Sequence, residues 1–133
     1  LTSCTNVSLL YVEDEILVQY DVEHALKGAG YEPILACNGE EALDLLERRS
    51  GEFGGLVTDV QLGGQATGWD VARRARQLLP NLPVIYASGG NGVAWFAQGV
   101  PHSVMIDKPF VSAQVAIAMA TLLNAIAPAT ALA

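Results

Sequence analysis

From Val7 to Ile126 the chain alternates short apolar runs with segments whose apolar residues recur at helical spacing. Residues 7–12, 56–58, 84–87 and 104–106 are almost continuously apolar. A strand with one wet face alternates polar and apolar residues, so unbroken runs of this length predict parallel strands covered on both sides. Residues 31–37 read as a fifth strand. Pro33 has no amide proton to give to a ladder, which predicts an edge position for it.

Helices fit between the runs. Val18, Val22, Ala25, Leu26 and Ala29 form the first stripe, and Gly30 supplies its stop. Asn38 opens the second helix, with Glu41 at capping-box spacing and Ala42, Leu43 and Leu46 on its buried face. Val71, Ala72, Ala75, Leu78 and Leu79 mark the third helix, and residues 93–98 suit a short fourth. The last starts near Ser112 and shows Val115, Met119, Leu122, Leu123 and Ile126. Five strands alternating with five helices give an α/β fold, an open, doubly wound parallel sheet with helices on both faces. The chain of 133 residues reads as a single domain, 1–133, with its core at about 7–127.

Composition closes off several classes. Hydrophobic residues make up 51% of the chain, too many for a disordered segment. Only 7 basic side chains stand against 14 acidic ones, so a phosphate-tracking basic stripe is absent and direct nucleic-acid binding is not expected. No apolar run reaches the roughly 18–20 residues of a bilayer span. The first residues resemble no secretory signal, and a start at Leu1 rather than Met suggests a chain excised from a longer one. Cys4 and Cys37 are too few for a disulfide framework and have no metal-ligand spacing, which suits reduced thiols in a cytoplasmic protein.

In doubly wound sheets functional groups gather beyond the carboxyl ends of the strands. Here the first run ends in Glu13-Asp14, the third in Asp59, the fourth in Ser88 and the fifth in Lys108-Pro109. Clustered carboxylates raise one another's pKa unless a cation is present. Mg2+ suits such a site because it takes oxygen ligands and uses one or two carboxylates plus a phosphate oxygen. A carboxylate beside it can attack a phosphoryl group. Lys108 would neutralise the phosphoryl oxygens, and Ser88 could donate to one of them. Pro109 is placed to fix the loop, with a cis bond possible at X-Pro. Taken singly, an acid at a strand end is usually a solvated turn residue or a helix cap, and Ser88 before two glycines a turn former. Their joint occurrence at successive strand ends carries the functional reading.

The stretches Leu10-Tyr11-Val12-Glu13-Asp14-Glu15, Val57-Thr58-Asp59-Val60, Pro83-Val84-Ile85-Tyr86-Ala87-Ser88-Gly89 and Asp107-Lys108-Pro109-Phe110 resemble the receiver domain of two-component response regulators, the chemotaxis-type family. The resemblance covers about residues 7–127. It implies a flavodoxin-like sheet with strand order 2-1-3-4-5, in agreement with an edge position for the second strand. It also implies that Asp59 is the phosphoacceptor and that Glu13, Asp14, Asp59 and the backbone carbonyl of Gln61 hold Mg2+. Ser88 matches the switch hydroxyl and Lys108 the lysine that contacts the phosphoryl group. A histidine kinase or phosphotransfer protein is the implied donor, and a downstream protein or fused output domain the implied target.

Four features depart from that pattern or stand apart from it. Met105 occupies the position where the family usually has an aromatic residue that swings inward on activation; a thioether repacks with less directional preference. The loop after Asp59 is one residue longer than the common form, with Gly63 where proline is frequent. The segment between Ser88 and Lys108 is short and glycine-loosened, which predicts a mobile or shortened fourth helix. From Pro109 to Ala133 there is no charged side chain, and an uncharged helix face predicts coverage by a partner or by a second copy, a homodimer through the last helix.

Three other readings bear comparison. A haloacid-dehalogenase-like phosphohydrolase would need a second acid two residues after its nucleophile, where this chain has Gln61, which cannot serve as a general acid. A binding module that no longer uses phosphorylation is opposed by the intact acidic set and Lys108 and kept open by the Met105 departure. A dinucleotide fold lacks its glycine-rich loop after the first strand. The expected role is therefore signalling, with the chain catalysing only its own phosphorylation and dephosphorylation.

Overall fold

A computed structural model describes residues 6–132, with side chains described through residue 125. Cys4 and the side chain of Ile126 lie outside those limits. The elements are β1 (Val7–Val12), α1 (Ile16–Gly28), β2 (Tyr31–Ala36), α2 (Gly39–Arg49), a 3-10 turn (Ser50–Glu52), β3 (Gly55–Thr58), α3 (Gly68–Leu78), β4 (Val84–Ser88), α4 (Gly92–Gln98), β5 (Ser103–Asp107) and α5 (Ser112–Leu132). The five strands form one parallel sheet in the order β2-β1-β3-β4-β5. This is the flavodoxin-like strand order expected from the sequence, with β2 on an edge in agreement with Pro33.

Period-2 alternation divides the sheet's side chains between two cores. Leu10, Val12, Leu56, Val84 and Tyr86 face α2 and α3, where Ala42, Leu45, Leu46, Trp69, Val71, Ala72 and Ala75 are buried. Leu9, Tyr11, Val57, Ile85 and Ala87 face α1 and α5, meeting Val22, Leu26, Val115, Ala116 and Met119. Burying both faces accounts for the unbroken apolar runs. Tyr86 packs on Trp69 with ring centroids 4.7 Å apart, and its hydroxyl accepts from the Val100 amide at 3.1 Å.

The helix stripes differ in detail from their sequence reading. Ala29 is exposed, because α1 ends one residue before it. In α2 Leu45 is buried while Leu43 is only half-buried. Asn38 caps α2 by accepting from the Glu41 amide at 2.8 Å, but the Glu41 carboxylate reaches past Asn38 to the Cys37 amide at 2.6 Å. The reciprocal capping box occurs instead at α3, between Thr67 and Asp70. Helix α4 is short, at 7 residues. In α5 Val115 and Met119 are buried, Leu122 and Leu123 half-buried, and Ile117 is 65% exposed. Among the described residues no helix is long and apolar enough to cross a membrane.

Candidate functional site

Parallel pairing carries the strand ends to one edge of the sheet. Val12 pairs with Thr58, and the ladder runs one residue further where the Asp59 amide donates to Val12 O at 3.0 Å. Glu13 and Asp59 therefore emerge side by side. Ser88 pairs with Asp107, and the Lys108 amide donates to Ser88 O at 2.9 Å, bringing Lys108 over the same edge. The Lys108-Pro109 bond is cis.

Asp59 sits at the centre with both carboxylate oxygens engaged. Its Oδ1 accepts from Ser88 Oγ at 2.6 Å, from the Val60 amide at 2.6 Å and from the Gln61 amide at 3.3 Å. Its Oδ2 lies 2.9 Å from Lys108 Nζ. The same ammonium lies 3.2 Å from Glu13 Oε1 and 3.2 Å from Glu15 Oε1. Asn91 Nδ2 donates to Ser88 Oγ at 2.9 Å and to Gly89 O at 2.9 Å, which orients the Ser88 hydroxyl toward Asp59. Gly68 lies so close that a Cβ there would stand 2.0 Å from the carbonyl oxygen of Asp59.

Glu13 is 1% exposed. Burial first, then the charge of Asp59, push its carboxyl up to about 7, although the Glu15 amide and Lys108 pull the other way. Burial also disfavours the Lys108 ammonium, but its hydrogen bond to Asp59 and the charges of Asp59 and Glu13 outweigh that and hold it above the ordinary lysine range. The Tyr11 hydroxyl, buried beneath Glu13 and Asp59, is likewise held above the usual tyrosine range, by burial first and then by those two charges.

Glu13, Asp14 and Asp59 each offer an oxygen, all within 4.8 Å of one another. Two of these acids are buried and Asp14 is exposed. A donor set of carboxylate oxygens with one open side suits a hard divalent cation, which would also relieve the repulsion raising Glu13. The residues present thus fit Mg2+.

Glu13, Asp14, Asp59, Ser88 and Lys108, expected from the sequence, converge here, and Gln61 follows Asp59 at the rim. Met105, opposite Tyr86 in the ladder, is half-buried and packs against the core on the α2–α3 face. Sequence reasoning assigned no role to Glu15 or Asn91. Glu15 was legible as a third consecutive acid at a strand end. Asn91 gave no signal, since an Asn after Gly-Gly is ordinary turn chemistry. Cys37 is a free, exposed thiol just after β2, where its Sγ accepts from Gln19 Nε2 at 3.7 Å.

A family model described as the response regulator receiver domain matches residues 9–120. A crystal structure of a response regulator receiver protein from Sinorhizobium medicae WSM419 superposes with a TM-score of 0.87 at 38% identity, covering 90% of this chain and 96% of that one. Sensor kinase CckA of Brucella abortus (strain 2308) is 31% identical over 122 residues, 90% of this chain and 13% of that protein. A response regulator receiver protein of Anaeromyxobacter sp. (strain Fw109-5) is 34% identical over 103 residues, 77% of this chain and 40% of that protein. The chain spans less than half the length of these two curated relatives.

Proposed function

The chain belongs to the response regulator receiver domain family, and from that premise we propose that Asp59 is the residue on which it receives a phosphoryl group. Receiver domains are signalling modules of two-component systems that work with histidine kinases and output domains. The observation that carries the assignment is the position of Asp59 between Lys108 Nζ at 2.9 Å and the neighbouring acids Glu13 and Asp14.

Glu13, Asp14, Asp59 and the Gln61 carbonyl would hold Mg2+, which when bound supplies charge neutralisation for the phosphoryl oxygens. The donor is a phosphohistidine of a kinase or phosphotransfer protein. An Asp59 carboxylate oxygen attacks phosphorus, a P–O bond forms, and the P–N bond breaks with its electron pair returning to the imidazole. Lys108 keeps its proton and shifts its ion pairing from the carboxylate to the phosphoryl oxygens. Ser88 exchanges its acceptor from Asp59 Oδ1 to a phosphoryl oxygen, and that change at the end of β4 alters the surface offered to a partner. Hydrolysis reverses the modification: water attacks phosphorus, the P–O bond to Asp59 breaks, and carboxylate and inorganic phosphate result.

The experiment is incubation with acetyl phosphate and Mg2+, followed by intact mass. One added phosphoryl group that is lost in Asp59→Asn is expected. No addition in the wild type would leave a phosphorylation-independent binding module, and turnover of varied phosphate esters would indicate a phosphohydrolase. Gln61 weighs against the latter, having no acidic proton to give.

The downstream target is a separate protein or a fused output domain, reached by protein contact without nucleic acid or membrane, in the cytoplasm. Exposed Val111 and Ile117 on the uncharged stretch that leads into and forms α5 support self-association there. Sedimentation showing a monomer at high concentration, with and without beryllofluoride, would remove the homodimer.

A further inference from the structure

The loop that follows Asp59 is held in place from α2. Glu40, in the first turn of that helix, accepts on one oxygen, Oε2, from both the Gln65 amide at 3.0 Å and the Ala66 amide at 2.9 Å. The Ala66 amide first, then the backbone amide of Glu40 itself, and last the Gln65 amide hold the Glu40 carboxyl below the usual range. Two glycines permit so close an approach. A Cβ on Gly64 would stand 2.5 Å from Glu40 Oε1, and one on Gly39 would stand 2.6 Å from Ala66 O. The loop so clamped starts at Gln61 and passes over the exposed acid of the site. Gly63, at φ 74°, lies so near that a Cβ on it would be 3.4 Å from Asp14 Oδ2.

We propose that Glu40 is a positioning residue for the metal site: through the Gln65 and Ala66 amides it fixes the loop that carries Gln61 and borders Asp14. This rests on the reading of Glu13, Asp14 and Asp59 as a Mg2+ site. Gly63 and Gly64 make this loop floppy on its own, because glycine carries the largest backbone entropy. A clamp on two successive amides removes that freedom before the ion arrives, so less ordering is left to oppose binding. Glu40 itself touches neither the ion nor the phosphoryl group.

The test is Mg2+ binding by titration calorimetry on wild type, Glu40→Ala and Glu40→Gln, with thermal unfolding in EDTA to report the fold separately. Both amides use a single oxygen, which Gln retains, so Glu40→Gln should bind close to wild type. Glu40→Ala should bind roughly tenfold more weakly, the low end of the loss seen when outer-shell partners of metal ligands are removed. Affinity in Glu40→Ala equal to wild type would overturn the proposal. Equal weakening in both variants would overturn it too, because it would trace the effect to long-range charge rather than to the clamp. A wild type that binds no Mg2+ would sink the site reading itself, a different and recognisable failure.

Discussion

Ser88 Oγ donates to Asp59 Oδ1 at 2.6 Å, the oxygen that also accepts the Val60 and Gln61 amides. The resting carboxylate is thereby oriented by three donors, and the hydroxyl is the one of them that can rotate to a new acceptor. Ser88→Ala should cost about 1–2 kcal/mol in urea denaturation, toward or below the low end of the roughly 1.5–3 kcal/mol of a hydrogen bond to a charged group, because two donors remain on that oxygen. Ser88→Thr should keep that stability. The alanine variant should still be phosphorylated yet respond weakly in partner affinity, which a binding titration before and after acetyl phosphate measures. An undiminished response would remove Ser88 from the switch.

Lys108 is the cation that balances Glu13, Glu15 and Asp59. Lys108→Ala leaves a buried Glu13 beside Asp59 without it. Breaking a buried pair costs about 3–5 kcal/mol, but Lys108 is partly solvated, so about 1–3 kcal/mol is expected at about pH 8 without metal. The loss should shrink at about pH 5, where Glu13 carries a proton and the repulsion falls. Urea titrations at both pH values decide it. An equal loss at both would mean that packing of the lysine stem, not charge, dominates.

Glu13 gives the pH dependence a definite sign. Its folded carboxyl, raised to about 7 by burial and Asp59, lies above the ordinary glutamate value. Between those two values the folded chain binds more protons than the unfolded one, so stability falls with rising pH across that window. The contribution is fully present below the unfolded value and lost as pH passes about 7. Metal-free melts should therefore show a decline that Glu13→Gln flattens. Mg2+ competes with the same proton, so its affinity should drop as pH is lowered through about 7, which calorimetry in matched buffers would show.

The arrangement of the strands was legible because both sheet faces are buried, which leaves continuous apolar runs, and because parallel topology sends every strand end to one edge. Pro33 identified the edge strand. Glu13, Asp14, Asp59, Ser88 and Lys108 were legible as strand-end residues. Part of what the sequence did not disclose depends on contacts remote along the chain. Glu40 meets Gln65 and Ala66 only because α2 and α3 pack side by side, where Arg74 also pairs with Glu47 at 2.5 Å. Asn91 orients Ser88 through a turn geometry that many sequences share. Leu45 is buried and Ala29 exposed because the rotation and the end of each helix are set by packing, which a periodicity fixes only to within a residue or so.

Gly68 provides a test of how tightly the backbone around Asp59 is packed. A Cβ there would meet Asp59 O at 2.0 Å, Asp59 C at 2.8 Å and the Cα of Val60 at 2.9 Å, all backbone atoms. The Gly68 amide also donates to Val60 O at 2.8 Å, so the two segments cannot part without losing that bond. Gly68→Ala should destabilise by about 2–3 kcal/mol, the upper part of the range for overpacking, since no flexible side chain can yield instead. It should also slow phosphorylation, because the shift displaces Asp59 itself. Gly28 supplies the comparison. It is the last residue of α1, and a Cβ there meets nothing within 4 Å. Gly28→Ala should stabilise by about 0.4–1 kcal/mol through reduced unfolded-state entropy and better helix propensity. Urea midpoints of the two variants should move in opposite directions, and a tolerated alanine at position 68 would show that the β3–α3 connection is far looser than this contact requires.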